Sequence, residues 1–179
     1  MKMLNKTKIA AIAGLSLALS AGALLGADKD NRGQLTENDY KFVKDAARGG
    51  TMEVELGQLA VQKAASESVR HFGERMVADH KKANEELRTI ASRKGAILPA
   101  ELSHSENSTM AHLQKATGRD FDKAFAHHML KDHQTDVKDF QDAAKDLNDP
   151  ELRAFAQKTL PTLQEHLRMA QALDTEVTR

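Results

Sequence analysis

The sequence predicts an all-α protein built as a bundle of four long helices. Three observations support this prediction. From residue 37 to the C-terminus, apolar residues recur at intervals of three and four, the period of a helix with one buried face. Capping and helix-breaking residues divide this region into four segments of similar length. One ionisable residue interrupts the middle of each apolar stripe, and these residues are Glu53, His80, His133 and His166.

A short connection joins the first two predicted helices. The first covers residues 37–65, and residues 36–39 resemble a capping box at its start. Ser66 is a suitable N-cap for the second helix, and Gly95 closes that helix. Because the joint is so short, we expect these two helices to be antiparallel neighbours.

A long connector separates the second helix from the third. It covers residues 96–118, contains Pro99, and carries a predicted short helix over 107–117. The third long helix is predicted over 120–147, and Asn148, Asp149 and Pro150 then end it and start the fourth. A connector of this length can run along the whole bundle, so helices two and three would be parallel. The result is an up-down-down-up arrangement with a crossover, which is the ferritin-like topology.

The N-terminus has the composition of an export signal. Three lysines precede an apolar run over residues 9–25, and small residues follow at 21–23 and 26–27. We therefore expect a signal peptide over 1–27, a flexible tail over 28–36 and a helical domain over 37–179. The protein would be periplasmic or secreted, with no membrane span after cleavage. An uncleaved N-terminal anchor is the alternative, because the apolar run is only slightly short for a membrane span.

Composition argues against several classes of function. The 26 Lys and Arg residues balance 26 Asp and Glu residues, and no clustered basic face predicts binding to nucleic acid. The chain has no Cys, which excludes disulfides, thiolate chemistry and a lipid anchor on cysteine. No nucleophile–His–acid pattern and no phosphate-binding glycine loop is evident, so a non-catalytic role is favoured. Protein partners and oligomeric state are not indicated.

The four central ionisable residues predict one polar site in the core. Each lies near the middle of its helix, so both parallel and antiparallel neighbours bring them to one level. Imidazole and carboxylate groups are ligands for zinc, iron, manganese or copper, so one transition metal ion is a candidate cofactor. Met76 and Met129 lie one turn before their histidines, and thioethers would favour Cu(I). The alternative is a hydrogen-bonded Glu/His layer that sets helix register without metal.

A di-iron site is disfavoured because its Glu-x-x-His pattern is missing. The residues three positions before the histidines are apolar: Val77, Leu130 and Leu163. Acids instead directly precede the histidines: Asp79, Asp132 and Glu165. Neighbouring residues on a helix point about 100° apart, so these acids would orient an imidazole of another helix or lie in water at the boundary. His127 and His128 fall off the stripe and are expected to face solvent.

Several motifs of the chain resemble one bacterial family. They are Gly118-x-x-Phe121-Asp122, Met129-x-x-Asp132-His133, Leu160-Pro161-x-Leu163-x-x-His166-Leu167 and Ala46-Ala47-x-Gly49-Gly50-x-x-Glu53-Val54-x-Leu56-Gly57. They resemble the family known as domain of unknown function 4142, over about residues 35–172. The resemblance implies a signal-bearing, ferritin-like four-helix domain outside the cytoplasm, and it brings no activity with it.

Three functional hypotheses follow. The first, which we favour, is an exported binding or stress-associated domain whose Glu/His layer is structural or binds metal without turnover. The second is a metal-dependent redox protein, which needs tight binding and an open coordination position. The third is an interaction module held at the membrane by an uncleaved signal.

Overall fold

The computed structural model describes residues 32–179, which contain five helices and no strand. The helices are α1 (Glu37–Lys63), α2 (Glu67–Arg93), α3 (His104–Lys115), α4 (Gly118–Asp146) and α5 (Pro150–Thr178). The predicted all-α class is confirmed. The predicted signal peptide, 1–27, lies outside the described residues, and so do residues 28–31. None of the five helices combines the length and the apolar character that a membrane crossing requires.

Local capping sets where the helices begin. The Thr36 hydroxyl accepts a hydrogen bond from the Asp39 amide at 3.2 Å and starts α1. At the start of α5, the Asp149 carboxylate accepts hydrogen bonds from the amides of Glu151 and Leu152, and Pro150 is the first residue of the helix. Helix α3 begins earlier than residue 107 because Ser103 and Glu106 form a capping box. The sequence pattern Ser-x-x-Glu was the available signal for that start.

Helices α1 and α2 pack closely at a crossing of two glycines. A Cβ atom added to Gly57 would lie 2.7 Å from the carbonyl oxygen of Gly73. A Cβ atom added to Gly73 would lie 2.8 Å from the Cβ of Ala60. Both distances are too short for a carbon atom, so this approach of the two backbones requires glycine at both positions.

The α1–α2 pair packs on the α4–α5 pair, with α2 against α5 and α1 against α4. The start of α2 lies beside the end of α5, where Ser68 donates a hydrogen bond to Glu176 at 2.8 Å. At the opposite end, Arg93 lies 2.7 Å from Glu151. The short helix α3 contacts α1 and α4.

Two buried carboxylates tie each helix pair to the loop of the other pair. Asp39, at the start of α1, accepts a hydrogen bond at 2.8 Å from the amide of Asn148 in the α4–α5 loop. Asp122, at the start of α4, accepts hydrogen bonds from the amides of Ala65 and Ser66 in the α1–α2 loop, at 3.1 and 2.8 Å. Each helix pair therefore binds the loop of the other pair in the same way, through a carboxylate that accepts hydrogen bonds from loop amides.

Residues 32–36, within the segment expected to be a flexible tail, pack on the end of α2. The Gln34 amide donates a hydrogen bond to the carbonyl oxygen of Lys94 at 2.9 Å, and Leu35 is buried. Gly33 has a φ of 60°, and a Cβ atom there would lie 2.2 Å from the same oxygen. A glycine with positive φ therefore lets this segment reach the α2 terminus and bury the leucine.

The core consists of two apolar clusters with a polar layer between them. The first cluster includes Leu56, Phe72, Met76, Phe121, Phe125 and Met129. The second cluster includes Val43, Leu87, Phe140, Leu152, Phe155 and Leu163. The buried polar residues of the described chain are Asp39, Glu53, His80, Asp122, His133 and His166. Asp39 and Asp122 accept hydrogen bonds from loop amides near the ends of the bundle. The other four residues make up the polar layer.

Candidate metal centre

The structure brings the four residues of the polar layer together. Glu53 comes from α1, His80 from α2, His133 from α4 and His166 from α5, and each is at most 6% exposed. The ring centroids of His80 and His133 lie 5.8 Å apart, and His166 lies 5.3 Å from each of them. The three imidazoles therefore form a nearly equilateral triangle in the middle of the bundle.

Each imidazole has one nitrogen engaged by an oxygen atom. His133 Nδ1 donates to the carbonyl oxygen of Met129 at 3.0 Å, since a carbonyl can only accept. His166 Nε2 donates to the carboxylate of Asp79 at 2.9 Å. His80 Nδ1 lies 2.8 Å from Glu53 Oε2. These contacts hold the three rings in place, and for His133 and His166 they decide which nitrogen carries the proton.

The other nitrogen of each ring is buried and has no hydrogen-bond partner. These atoms are His80 Nε2, His133 Nε2 and His166 Nδ1. Glu53 Oε1 is likewise unpartnered: it lies 3.3 Å from His133 Nε2, but the contact lacks hydrogen-bond geometry. One nitrogen from each of the three rings lies within 4.8 Å of the other two. Three imidazoles this close together, each with an unpartnered buried nitrogen, are an arrangement that suits a metal ion.

Burial keeps the imidazoles neutral. It lowers the pKa of His133 to about 3 and the pKa of His166 to about 4, and it also lowers the pKa of His80. Neighbouring imidazoles lower the pKa of His133 further, because a second positive charge beside the first is unfavourable. All three rings therefore have a free lone pair near neutral pH, which is the form that binds a metal.

A second carboxyl group, Asp136, extends the site on the α4 side. Burial raises the pKa of both Asp136 and Glu53 well above the ordinary range. The negative charge of Glu53 raises the pKa of Asp136 further, since two carboxylates this close repel each other. Asp136 was not predicted, because the di-iron pattern has its acid three residues before each histidine. Asp136 lies three residues after His133, a spacing that places both on one helix face.

The acids that directly precede the histidines have different environments. Asp79 on α2 accepts a hydrogen bond from His166 on α5, so it orients an imidazole of another helix, as one of the two alternatives proposed. Asp132 is half-buried on α4, and burial raises its pKa. Glu165 forms an ion pair with Arg168 on the surface of α5.

The two methionines considered as ligands belong to the first apolar cluster. Met76 and Met129 are both fully buried there. Met129 supports the site through its backbone carbonyl oxygen, which accepts from His133. This contact follows from the helix itself, since the two residues are four apart on α4.

The two neighbouring histidines of α4 differ in exposure. The side chain of His127 is 60% exposed, as expected. The expectation that His128 faces solvent is wrong, because His128 is half-buried and its Nε2 has no hydrogen-bond partner. Helix α3 packs on α4, and its Glu106 is close enough to Asp132 to raise the pKa of that carboxyl. The apolar stripe alone did not show that α3 packs on α4.

A groove and a small cavity adjoin the polar layer. A groove of about 110 Å³ between α2 and α5 is lined by Asp79, His80 and His166. A small cavity of about 30 Å³ inside the bundle is lined by Glu53, His80 and Asp136. The site is therefore enclosed by helices but lies within reach of small solutes.

Comparison with known proteins identifies the family and the fold. The family described as "domain of unknown function (DUF4142)" matches residues 26–173. Comparison with curated proteins found no match. The structure of a DUF305 fragment from Deinococcus radiodurans is similar, with 15% identity and a TM-score of 0.70 over 79% of this chain and 98% of that chain. CopM in the Cu(II)-bound form is also similar, with 15% identity and a TM-score of 0.63 over 77% of this chain and 96% of that chain.

At 15% identity, the two structural similarities show a shared helical fold and nothing further. The family match, in contrast, covers most of the sequence and includes all four residues of the polar layer. The resemblance found in the sequence motifs is thereby confirmed, and the chain belongs to the DUF4142 family.

Proposed function

We propose that the protein binds one transition metal ion in its core through His80, His133 and His166. One observation carries the proposal: each ring has one nitrogen held by an oxygen atom and the other nitrogen buried without a partner. A buried polar atom left unpartnered costs about 1–3 kcal/mol. A single ion would satisfy three such atoms at once.

The residues around the rings have supporting roles in this proposal. Asp79, the Met129 carbonyl and Glu53 Oε2 would orient the imidazoles, as outer partners of metal-binding histidines commonly do. Glu53 Oε1, unpartnered beside His133, is a candidate fourth ligand. Three imidazoles and a carboxylate suit zinc, copper or iron. The Cu(II)-bound form of CopM, which shares the fold, makes copper the first ion to test.

The role that best fits this site is metal binding without turnover, in an exported or stress-associated domain. A bound copper or iron ion would supply one-electron chemistry. A redox role would also need an open coordination position, and the groove at His80 and His166 supports that variant.

A metal-free structural layer is the second candidate function. The contacts of Glu53 with His80, of Met129 with His133 and of Asp79 with His166 favour it, because they engage several buried polar atoms without an ion. In that case the layer would specify helix register at some cost in stability. The unpartnered nitrogens of three rings count against it.

We further infer that the bundle has the ferritin-like up-down-down-up arrangement, with α2 and α4 parallel. The supporting contacts lie at both ends of the molecule. Asp39 at the start of α1 meets the loop after α4, and Asp122 at the start of α4 meets the loop after α1. A crystal structure with α2 and α4 antiparallel would contradict this inference.

We also infer that the protein is exported by a cleaved signal peptide. The support is the sequence of residues 1–27, with its lysines, apolar run and small residues. Mass spectrometry of the exported protein should find an N-terminus between residues 24 and 28. Retention of Met1 would instead favour the membrane-anchored alternative.

Metal analysis of the purified protein tests the metal proposal. After loading with Cu²⁺ or Zn²⁺ and desalting, wild type should retain about one ion per chain, as a site with three imidazole ligands predicts. His133→Ala should lose most of this metal, whereas His127→Ala, an exposed histidine six residues earlier, should keep it. If wild type retains no metal and His133→Ala only lowers the free energy of unfolding, the structural layer is the correct account.

A further inference from the structure

A second group of side chains that could bind a metal lies between α1 and α4, next to the three imidazoles. It consists of Glu53, His133 and Asp136, with one ligand atom of each within 4.8 Å of the others. We propose that this group is an alternative position for the metal ion, which takes oxygen-preferring cations such as Mn²⁺. The three-imidazole position would take Cu²⁺ or Zn²⁺. This inference rests on the proposed metal-binding function.

The two positions cannot both be filled, because they share one lone pair. His133 Nδ1 is occupied by its hydrogen bond to the Met129 carbonyl oxygen. Only His133 Nε2 remains for a metal, so His133 would offer the same atom in either group. Since a nitrogen lone pair binds a single ion, an ion on one side of His133 excludes an ion on the other side.

The ligands differ in chemistry between the two positions. Two carboxylates with one imidazole favour manganese and similar hard cations, whereas three imidazoles favour copper and zinc. Glu53 Oε1 is buried and unpartnered, in a side chain that is 2% exposed. A divalent cation at the carboxylate position would satisfy this atom and compensate the negative charge of the two carboxylates.

The surface outside Asp136 also favours cations. Asp136 lines the inner cavity beside Glu53, and it also lines an outer groove of about 290 Å³ between α1 and α4. Further aspartates line that groove: Asp45, Asp139, Asp142 and Asp146. Lys41 also lines it and pairs with Asp45 at 2.8 Å, so the net charge of the lining residues is negative. A groove of net negative charge raises the local concentration of cations. A hydrated cation would therefore approach the carboxylate position from this side.

The experiment compares Mn²⁺ and Zn²⁺ binding by wild type, Asp136→Asn and His166→Ala. Binding of Mn²⁺ is followed by the loss of the free-ion electron paramagnetic resonance signal, and binding of Zn²⁺ by competition with a colorimetric chelator. Asp139→Asn is the matched control, because it makes the same substitution in the same groove about one turn away. Circular dichroism melting checks that each variant is folded.

We expect Asp136→Asn to weaken Mn²⁺ binding by at least about ten-fold, the lower end of the loss seen when even a supporting group of a metal site is removed. Its effect on Zn²⁺ should be several-fold smaller. His166→Ala should give the opposite pattern, and Asp139→Asn should leave both equilibrium affinities close to wild type. Zn²⁺ should also displace Mn²⁺ from wild type one for one.

Three results would overturn this inference while leaving the proposed function standing. Wild type could bind Zn²⁺ but no Mn²⁺, or it could bind both metals at the same time. Alternatively, Asp136→Asn and His166→Ala could each weaken the binding of the two metals equally. Retention of none of Mn²⁺, Zn²⁺ and Cu²⁺ would overturn the proposed function as well. Pulsed electron paramagnetic resonance on wild type gives a measurement that needs no variant. It should count one imidazole nitrogen on bound Mn²⁺ and three on bound Cu²⁺, and three on both ions would refute the second position.

Discussion

Asp79 on α2 accepts a hydrogen bond from Nε2 of His166 on α5, at 2.9 Å. Burial acts to raise the pKa of Asp79, but hydrogen bonds from Arg75 and His166 outweigh it and lower that pKa. The carboxylate is therefore ionised and can only accept, so His166 carries its proton on Nε2. Nδ1 is left as a bare lone pair directed away from Asp79 and without a partner.

The first prediction follows from this contact between Asp79 and His166. Asp79→Ala should weaken Cu²⁺ or Zn²⁺ binding by about 10–100-fold, the usual cost of losing an outer partner of a metal-binding histidine. Isothermal titration calorimetry measures the affinity. Glu165→Ala is the control, because Glu165 directly precedes His166 in sequence but pairs with Arg168. Equal losses in the two variants would show that general surface charge is responsible.

The second prediction concerns glycines in α1. Gly57→Ala should lower the free energy of unfolding by about 1–3 kcal/mol, since its Cβ would overlap the backbone of α2 and overpacking costs this much. Gly49→Ala has open space around the added Cβ, and should stabilise the helix by up to about 1 kcal/mol. Urea denaturation of both variants measures the difference. Similar effects at the two positions would contradict the close helix crossing at Gly57.

The third prediction concerns the carboxylates that hold the loops. Asp122→Ala removes the acceptor for two loop amides and should lower the free energy of unfolding by about 2–3 kcal/mol. Asp120→Ala is the control, because Asp120 is exposed in the same first turn and should cost less than about 1 kcal/mol through the helix dipole alone. Chemical denaturation distinguishes them. Equal costs would mean that the loop contact contributes little.

The fourth prediction is a pH dependence of stability in metal-free protein. Burial lowers the pKa of His133 to about 3, whereas an unfolded histidine titrates near 6.5. Between these values the unfolded chain binds a proton at this position that the folded chain does not. The contribution to stability is therefore complete above pH 6.5 and is lost as the pH falls toward 3.

The measurement compares wild type with His133→Gln, which has no imidazole to protonate. Burial raises the pKa of Glu53 and Asp136, which makes stability change in the opposite direction, and the comparison cancels that effect to first order. The experiment is done in the presence of a chelator. On lowering the pH from 7.5 to 5.5, the free energy of unfolding of wild type should fall by about 1 kcal/mol relative to that of His133→Gln. A constant difference would show that His133 titrates normally in the folded protein.

The local pattern of the sequence was enough to predict the all-α class and the approximate bounds of the four long helices. Periodicity and capping are local, so they act in the same way before and after the helices pack. The position of Glu53, His80, His133 and His166 in the middle of their stripes had the same local origin. Those stripes also indicated that the four residues share one polar layer.

What only the tertiary structure decided is which atoms meet. The partner of Asp79 is 87 residues away in sequence, and the contact between Glu53 and His80 joins two different helices. The packing of the helix pairs and the rotation of each helix about its axis decide these contacts. Since one residue step turns a helical side chain by about 100°, small changes in rotation exchange one partner for another. The stripe therefore predicted the polar layer, but packing alone selected the free nitrogen of each imidazole.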